Sequence, residues 1–505
     1  MKVFSSGDAG LTRRVYSVAA MRELDAAAVT HYLPGIQLMA RAAGAALALL
    51  LEKFPAPGLI TVYCGTGKNA GDGYLLAKLA TRQQLQVQVF QVGCEDKLCG
   101  EALLARQEAL QAGVAVAPFA SHRLPATGVL VDALLGIGVK GEPDEAFSAA
   151  IQQINGAGLP VVALDVPSGL NADTGAAAGA AVAAGITVSF LGLKRGLLTG
   201  RGPALCGDLY VCGLELPAEL IAAHPGWTPR LDLDDCLQSL PPRAADAHKG
   251  NFGHVMVIGG DIGYGGAALM AAEAAARVGA GLISVATRPE HVAALLARRP
   301  EVMACGVVSG QELEPLLERP DVLVIGPGLG RSPWSEQMLQ QALKTGLPMV
   351  VDADALNMMA EGRVVPEGVR RDNWILTPHP GEAARLLGID TATVQQHRYH
   401  QARLLQQRYG GALILKGAGS LVVNTNGEVG VVTAGNPGMA SGGMGDILSG
   451  LLGGLLAQGL SVADAAALGV CLHAVAADLA ADVTGERSLL ATDLLPWVCE
   501  LLQTN

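Results

Sequence analysis

Residues 435–450 read GNPGMASGGMGDILSG and run straight into an apolar, helix-forming stretch. A Gly-rich turn that opens a helix gathers several backbone N–H groups at the positive end of the helix dipole, and that point attracts phosphate. Asp446, placed there, can take a proton from a substrate hydroxyl while the loop amides bind the charge developing on a transferring phosphoryl group. An N-cap aspartate after a flexible turn explains a lone Gly-x-Gly-Asp equally well, so its neighbours decide. Those neighbours are Lys416 to Ser420 (KGAGS), Gly326 to Gly330 (GPGLG) after the strand VLVIG, and Thr377 to Glu382 (TPHPGE) after WIL. Each alone reads as a tight or Pro-bounded turn. Each also lies just past the carboxyl end of a strand, where open α/β sheets place their ligands. VDADALN at 351–357 puts Asp352 and Asp354 at a further strand end, either metal-linked or as a helix cap.

A second set of polar residues sits in the N-terminal half. GTGKNAGDG at 65–73 follows the strand LITVYC, so its amides can also cradle phosphate, although it is not the dinucleotide fingerprint. Asp132 in VLVDALLGIGVKGE and Asp165 with Ser168 in VVALDVPSGL stand at two more strand ends. The Asn, Asp, Asp and Ser of these three loops offer hard oxygens that can enclose a monovalent cation and leave one carboxylate for proton work. The alternative is that the aspartates merely end strands and cap helices.

Loops can share a rim only if parallel strands hold them, and the apolar pattern supplies such strands. In the first half they are 59–64, 87–92, 128–132, 160–165 and 185–190, preceded by two helices over 18–53 that break at Pro34-Gly35. In the second half they are 254–258, 280–287, 322–325, 348–352, 374–376, 412–416 and 421–424. Strands alternating with helices imply βαβ units, hence an α/β chain with a Rossmann-like domain over 1–215 and a second α/β domain over 246–505. The Pro-rich stretch 216–245 is the expected linker.

Composition agrees. Half of the 505 residues are hydrophobic and 4% aromatic, which suits Ala, Val, Leu and Ile cores over buried parallel strands. Glycine, 65 of 505 residues or about 13% against a usual ~7%, clusters between apolar runs and reads as loops. A net charge of −11 offers no field for nucleic acid or an anionic membrane. Nine scattered cysteines form no CxxC pair, no secretory leader is visible, and no uncharged apolar stretch has the character of a membrane helix. A cytoplasmic homo-oligomer with no nucleic-acid or membrane partner is expected.

HKGNFG (248–253), GPGLG, DADALN, TPHPGE, KGAGS and NPGMASGGMGD, in this order, resemble the ADP/ATP-dependent NAD(P)H-hydrate dehydratase family. The resemblance spans nearly the whole second domain and implies a ribokinase-like fold. It further implies phosphorylation of the hydroxyl of the S-hydrate of NADH or NADPH, followed by loss of phosphate. On that resemblance Lys416, Gly417, Ala418, Gly419, Ser420 and Gly445 bind ADP, which comes with magnesium. Ala267, Gly328, His379 and Asp446 bind the hydrate, with Asp446 also the base.

Over most of residues 15–215 the chain resembles the NAD(P)H-hydrate epimerase family, whose first loop reads GNGNNGGDG. The chain departs from that loop at Thr66, Lys68 and Ala70. The resemblance implies potassium on Asn69, Asp132 and Ser168. It implies hydrate contacts from Lys68, Asn69, Ala70, Gly71 and Asp72, from Gly136, Ile137, Gly138, Val139, Lys140, Gly141 and Glu142, and from Asp165, the base. A lysine at 68 can repel the ion, replace it, or reach for substrate phosphates. A ribokinase-like small-molecule kinase with a non-catalytic N-terminal nucleotide-binding module is the rival reading, since fold does not fix substrate.

Overall fold

The computed structural model describes residues 2–5, 9–119, 127–139, 141–362, 364–365 and 368–503. Two compact units divide the chain, Met1–Arg230 and Leu231–Asn505.

The first unit holds β1 (Val3–Ser5), β2 (Arg14–Tyr16), β3 (Leu59–Cys64), β4 (Gln86–Gln91), β5 (Ala115–Pro118), β6 (Val129–Ala133), β7 (Val161–Leu164), β8 (Ile186–Phe190), β9 (Leu193–Lys194), β10 (Asp208–Cys212) and β11 (Trp227–Leu231). Eight of them form one sheet in the order β1, β10, β8, β7, β6, β3, β4, β5, parallel throughout. Both faces are covered, as a parallel sheet requires. Along β3, Ile60, Val62 and Cys64 join one buried cluster, while Tyr63 joins another with Phe90, Leu130 and Phe147. Helices Val18–His31 and Gly35–Lys53 break where Pro34-Gly35 stands in the sequence, and both pack on the first cluster. The chain leaves β3 for β4 and β5, then returns to the other side of β3 as β6. The crevice between β3 and β6 is therefore a topological switch point, the usual ligand position of open α/β sheets.

The second unit holds β12 (His254–Ile258), β13 (Leu282–Thr287), β14 (Met303–Gly306), β15 (Val322–Ile325), β16 (Met349–Val351), β17 (Trp374–Leu376), β18 (Ala412–Leu415), β19 (Ser420–Val423) and β20 (Val429–Val432). They run in the order β14, β13, β12, β15, β16, β17, β18, β19, β20, parallel as far as β18 and antiparallel beyond it. Here the switch point lies between β12 and β15.

The stretch 216–245 carries the helices Ala218–Ala222 and Leu233–Leu237 as well as β11, and the boundary between the units, after Arg230, falls inside it. Pro229 sits in β11 as it pairs with β2, which conceals the strand from a pattern search. The glycines are not confined to loops. In helix Met444–Ala457 a Cβ at Gly450 would strike the Ala271 carbonyl, one at Gly453 the Val324 side chain, and one at Gly454 Val278. That helix thus seats backbone to backbone on helix Gly265–Val278. Helices Gly35–Lys53 and Val462–Thr484 have the length and hydropathy of a membrane span, and both contribute residues to the buried clusters of their units.

Candidate active sites

In the second unit the loops after β12, β15, β16, β17 and β18 meet at one rim. The two loops at the switch point are tied directly, with Gly260 N–H donating to Pro327 O (3.0 Å) and Asp261 N–H to Gly328 O (2.8 Å). Gly328 has φ +58°, and a Cβ on it would lie 2.9 Å from the Ala267 methyl and 2.5 Å from Tyr264 O. Gly328 and Ala267 are therefore neighbours.

At the centre is a buried charge cluster. Lys416 Nζ pairs with Asp352 Oδ1 at 2.7 Å, and Ser449 Oγ donates to Asp352 Oδ2 at 2.8 Å. Burial alone would raise the Asp352 carboxyl, but the Lys416 charge and these hydrogen bonds outweigh it and hold it below its ordinary range. Asp352 stands at the N-cap of helix Ala353–Glu361 without a side-chain cap hydrogen bond, and among the described residues it joins no group of three or more His, Cys, Asp or Glu; its carboxylate fixes the lysine of KGAGS. Asp354 faces outward to Arg331 at 3.4 Å. Gly445 packs against the ion pair, its ideal Cβ position 3.3 Å from Asp352 Oδ2 and 3.4 Å from Lys416 Nζ.

Asp446 lies in the first turn of helix Met444–Ala457, as the loop predicts. Burial first, then the nearby Asp352 charge, raise its carboxyl to about 7, with Lys416 pulling the other way. Glu382 is also raised to about 7, chiefly by burial. His379 caps helix Pro380–Leu387: its Nδ1 accepts from Gly381 N–H at 3.0 Å, while Glu382 Oε2 accepts from His379 N–H at 2.8 Å. Burial and the charges of Lys416 and Arg385 lower the imidazole, so it is neutral with its proton on Nε2, 3.3 Å from Glu382 Oε1.

Asp261, absent from the sequence reading, anchors the first switch loop. It accepts from Arg288 Nε (2.7 Å) and Ser332 Oγ (2.7 Å), which together outweigh burial and keep it ionised.

In the first unit Asn69, Asp132 and Ser168 converge. Ser168 N–H donates to Asp132 Oδ2 (2.8 Å) and Ser168 Oγ to Asp132 Oδ1 (2.6 Å), while Leu135 N–H donates to Ser168 Oγ (2.9 Å). Asn69 Nδ2 donates to Leu135 O (3.0 Å) and Leu164 O (3.1 Å). Its Oδ1, though buried, has no partner among the described residues. A buried acceptor left without a donor is costly unless a cation takes its lone pair. Burial raises Asp132 to about 6, which leaves it ionised at neutral pH.

Asp165 stands at the end of β7 with φ +65°, a strained conformation for a residue with a Cβ. Its Oδ1 is held by Lys194 Nζ, which also donates to Phe190 O (2.7 Å) and Ser189 Oγ (3.1 Å). Lys194 is 1% exposed and was not foreseen. Asp72 feels this pair: burial and the Asp165 charge push its carboxyl well above the ordinary range.

Lys68 is paired elsewhere. Its side chain is 70% exposed, and Nζ pairs with Asp25 of helix Val18–His31 at 3.2 Å. Ala70 is fully buried in the core, so only its backbone can reach a ligand. Gly71 packs on Met39, Gly136 on Asn69, and Ile137 against the core. Gly138 faces Arg22, Val139 is partly buried, Gly141 is exposed with φ +75°, and Glu142 lies against Gly179. Lys140 lies outside the described residues.

A Rossmann-like unit followed by a sheet of ribokinase-like order, each gathering ionisable groups at its switch-point rim, defines a two-site α/β enzyme. A family profile described as NAD(P)H-hydrate dehydratase matches residues 255–498, and one described as the YjeF-related protein N-terminus matches 35–196. The chain is 49% identical over 482 residues to a bifunctional NAD(P)H-hydrate repair enzyme of Coxiella burnetii, covering 95% of this chain and 98% of that one. It is 43% identical to the enzyme of the same description from Escherichia coli, covering 91% and 88%. Among solved structures, a ribokinase-like superfamily protein from Enterococcus faecalis aligns with 55% of this chain and 95% of its own at 31% identity and a TM-score of 0.50. The chain belongs to the bifunctional NAD(P)H-hydrate repair enzymes.

Proposed function

We propose that the chain returns hydrated NADH and NADPH to use in two steps, with the N-terminal unit interconverting R- and S-hydrates and the C-terminal unit dehydrating the S-form with ADP. The observation that carries this reading is the C-terminal rim, where Asp446 sits at a helix N-terminus beside the Lys416–Asp352 pair. In this reading the hydrate lies over Ala267, Gly328 and His379, and the turn Lys416–Ser420 with Gly445 holds ADP. Asp446, raised to about 7, is matched to removing the proton of the substrate hydroxyl near neutral pH. Charge developing on the transferring phosphoryl group falls on the amides at the start of the helix, where it is best stabilised. Loss of phosphate from the phosphorylated ring then restores the dihydronicotinamide.

No group of three or more His, Cys, Asp or Glu is placed to hold a metal among the described residues. Magnesium therefore fits as an ion carried on the nucleotide phosphates. Potassium fits the first unit, where the unpartnered Asn69 Oδ1 joins Asp132 and Ser168. Asp165, paired with Lys194, is the epimerase base, and Asp72, whose carboxyl burial and the Asp165 charge raise, carries the complementary proton.

The test is to mix the full-length chain with fresh S-hydrate, magnesium and either ADP or ATP, and to follow dihydronicotinamide absorbance. Recovery is expected with ADP; none with either nucleotide would sink the dehydratase reading. With R-hydrate, Asp165→Asn is expected to fall to the spontaneous rate of conversion, and a full rate in that variant would remove the epimerase assignment.

A further inference from the structure

Arg398, which lies outside every motif read from the sequence, stands behind the turn Lys416–Ser420. It opens helix Arg398–Tyr409 and is 1% exposed. Its Nη2 donates to the carbonyls of Leu415 (3.3 Å), Lys416 (3.3 Å) and Gly419 (3.4 Å), and its Nη1 to Gln395 Oε1 (2.8 Å). Leu415 and Lys416 enter the turn and Gly419 leaves it, so one guanidinium bridges both ends. Ser420 Oγ takes the Gly417 carbonyl at 3.1 Å.

In a trans peptide the C=O and the next N–H point in opposite directions. With the Lys416 carbonyl turned toward Arg398 and the Gly417 carbonyl toward Ser420, the N–H groups of Gly417 and Ala418 are aimed the other way. Gly417 (φ +135°) and Gly419 (φ +63°) supply the conformations this needs, and a Cβ on Gly417 would sit 3.1 Å from Arg398 Nη1. Successive amides held on one side of a turn make a concave anion site.

We propose that Arg398 is the positioning residue for nucleotide binding, holding the carbonyls of the Lys416–Ser420 turn so that its amides meet the phosphates of a nucleoside diphosphate. This rests on the reading of that turn as the nucleotide loop. Nη2 alone reaches both ends of the turn, and it is held there because the rigid guanidinium is anchored through Nη1 on Gln395; a lysine, with a shorter stem and one nitrogen, cannot keep both the anchor and the bridge.

The full-length variants Arg398→Lys and Arg398→Gln are compared with the unaltered chain for ADP affinity by calorimetry and for steady-state dehydration of S-hydrate. Both are expected to raise Kd and KM for ADP by about tenfold or more, the scale of losing hydrogen bonds to a charged group. KM for the hydrate and kcat at saturating ADP should stay within about twofold, a split that general loosening of the fold would not produce. Unchanged ADP affinity in both variants, or a hydrate KM that rises in step with that for ADP, overturns the proposal. Should Arg398→Gln fail to fold, Arg398→Lys alone decides, and in the unaltered chain ADP must slow amide exchange across 415–420. Ser420→Ala and Gly417→Ala separate the two levels. Normal ADP affinity in both would mean that the turn is not the nucleotide loop, whereas a defect there beside a normal Arg398→Lys removes only the role of Arg398.

Discussion

The pH dependence of dehydration follows from the charges around Asp446. A base works ionised, and this carboxyl titrates at about 7. The rate at saturating substrates should therefore climb through neutral pH and level off above it. At pH 6 it should be about a tenth of the plateau, since one unit corresponds to a tenfold change in the ionised fraction. Two neighbours set the position of that limb with opposite signs. Asp352 raises Asp446 by like-charge repulsion and Lys416 lowers it by attraction. Asp352→Asn removes the repulsion and also frees Lys416 from its 2.7 Å partner, so both effects move the limb to lower pH, while burial, the largest cause, remains and keeps it above the ordinary carboxylate range. In that variant the fraction of its own plateau reached at pH 6 should exceed that of the unaltered chain. Lys416→Met should move the limb the other way, above 7, measured at ADP concentrations that compensate for weaker binding. Glu382 also titrates at about 7 but is not among the groups that shift Asp446, so Glu382→Gln should leave the limb where it is. Initial rates of absorbance recovery in a constant-ionic-strength buffer series supply the profiles. A flat profile from pH 5.5 to 8, or a shift of the same sign in Asp352→Asn and Lys416→Met, would refute the assignment of Asp446 as the titrating base.

Three outcomes concern the first unit. Asn69→Leu removes the buried acceptor and should abolish stimulation of R-hydrate conversion by potassium, measured against lithium as control; undiminished stimulation would mean the ion is held elsewhere. Lys68→Asn should leave potassium stimulation within about twofold, since the lysine is engaged with Asp25, and a changed potassium dependence would show that the ammonium does enter the cation site. Lys194→Met strands the Asp165 charge and should cost about 3 kcal/mol of first-unit stability by thermal melting while ending epimerisation and sparing dehydration; epimerisation at the normal rate would deny Lys194 its role.

The rims were legible because their signals are local. A Gly-rich turn after an apolar run announces a strand end, and β3, β12, β15 and β17 fall where the apolar runs lie. The edge strands β1, β5 and β14 are short and half-exposed, with three or four residues each, too few for a period to show. Residues that support the sites were hidden for another reason. Lys194, Arg398 and Asp261 are single charged residues without a spacing pattern, and each gains its meaning from a partner distant in sequence: Asp165 by 29 residues, Gly419 by 21, Ser332 by 71. An isolated lysine reads as solvated surface, and only the closed fold reveals that it is buried. Asp352 was singled out, but its role as counter-ion to Lys416 needed a partner 64 residues away. Glycines inside a helix give no hint of which backbone will approach them.

Those helical glycines bear on how the sequence can drift. At Gly450, Gly453 and Gly454 every substitution adds atoms, so none of these positions has a conservative replacement. A leucine in the core can become methionine or isoleucine with local repacking; here the smallest change, a methyl group, must lift the whole helix from its seat. Asp446 rides on that helix about one to two turns away. A saturation-mutagenesis map of the C-terminal unit should therefore show an intolerant band well away from any ligand, purged for the same loss of activity as changes to the aspartate itself.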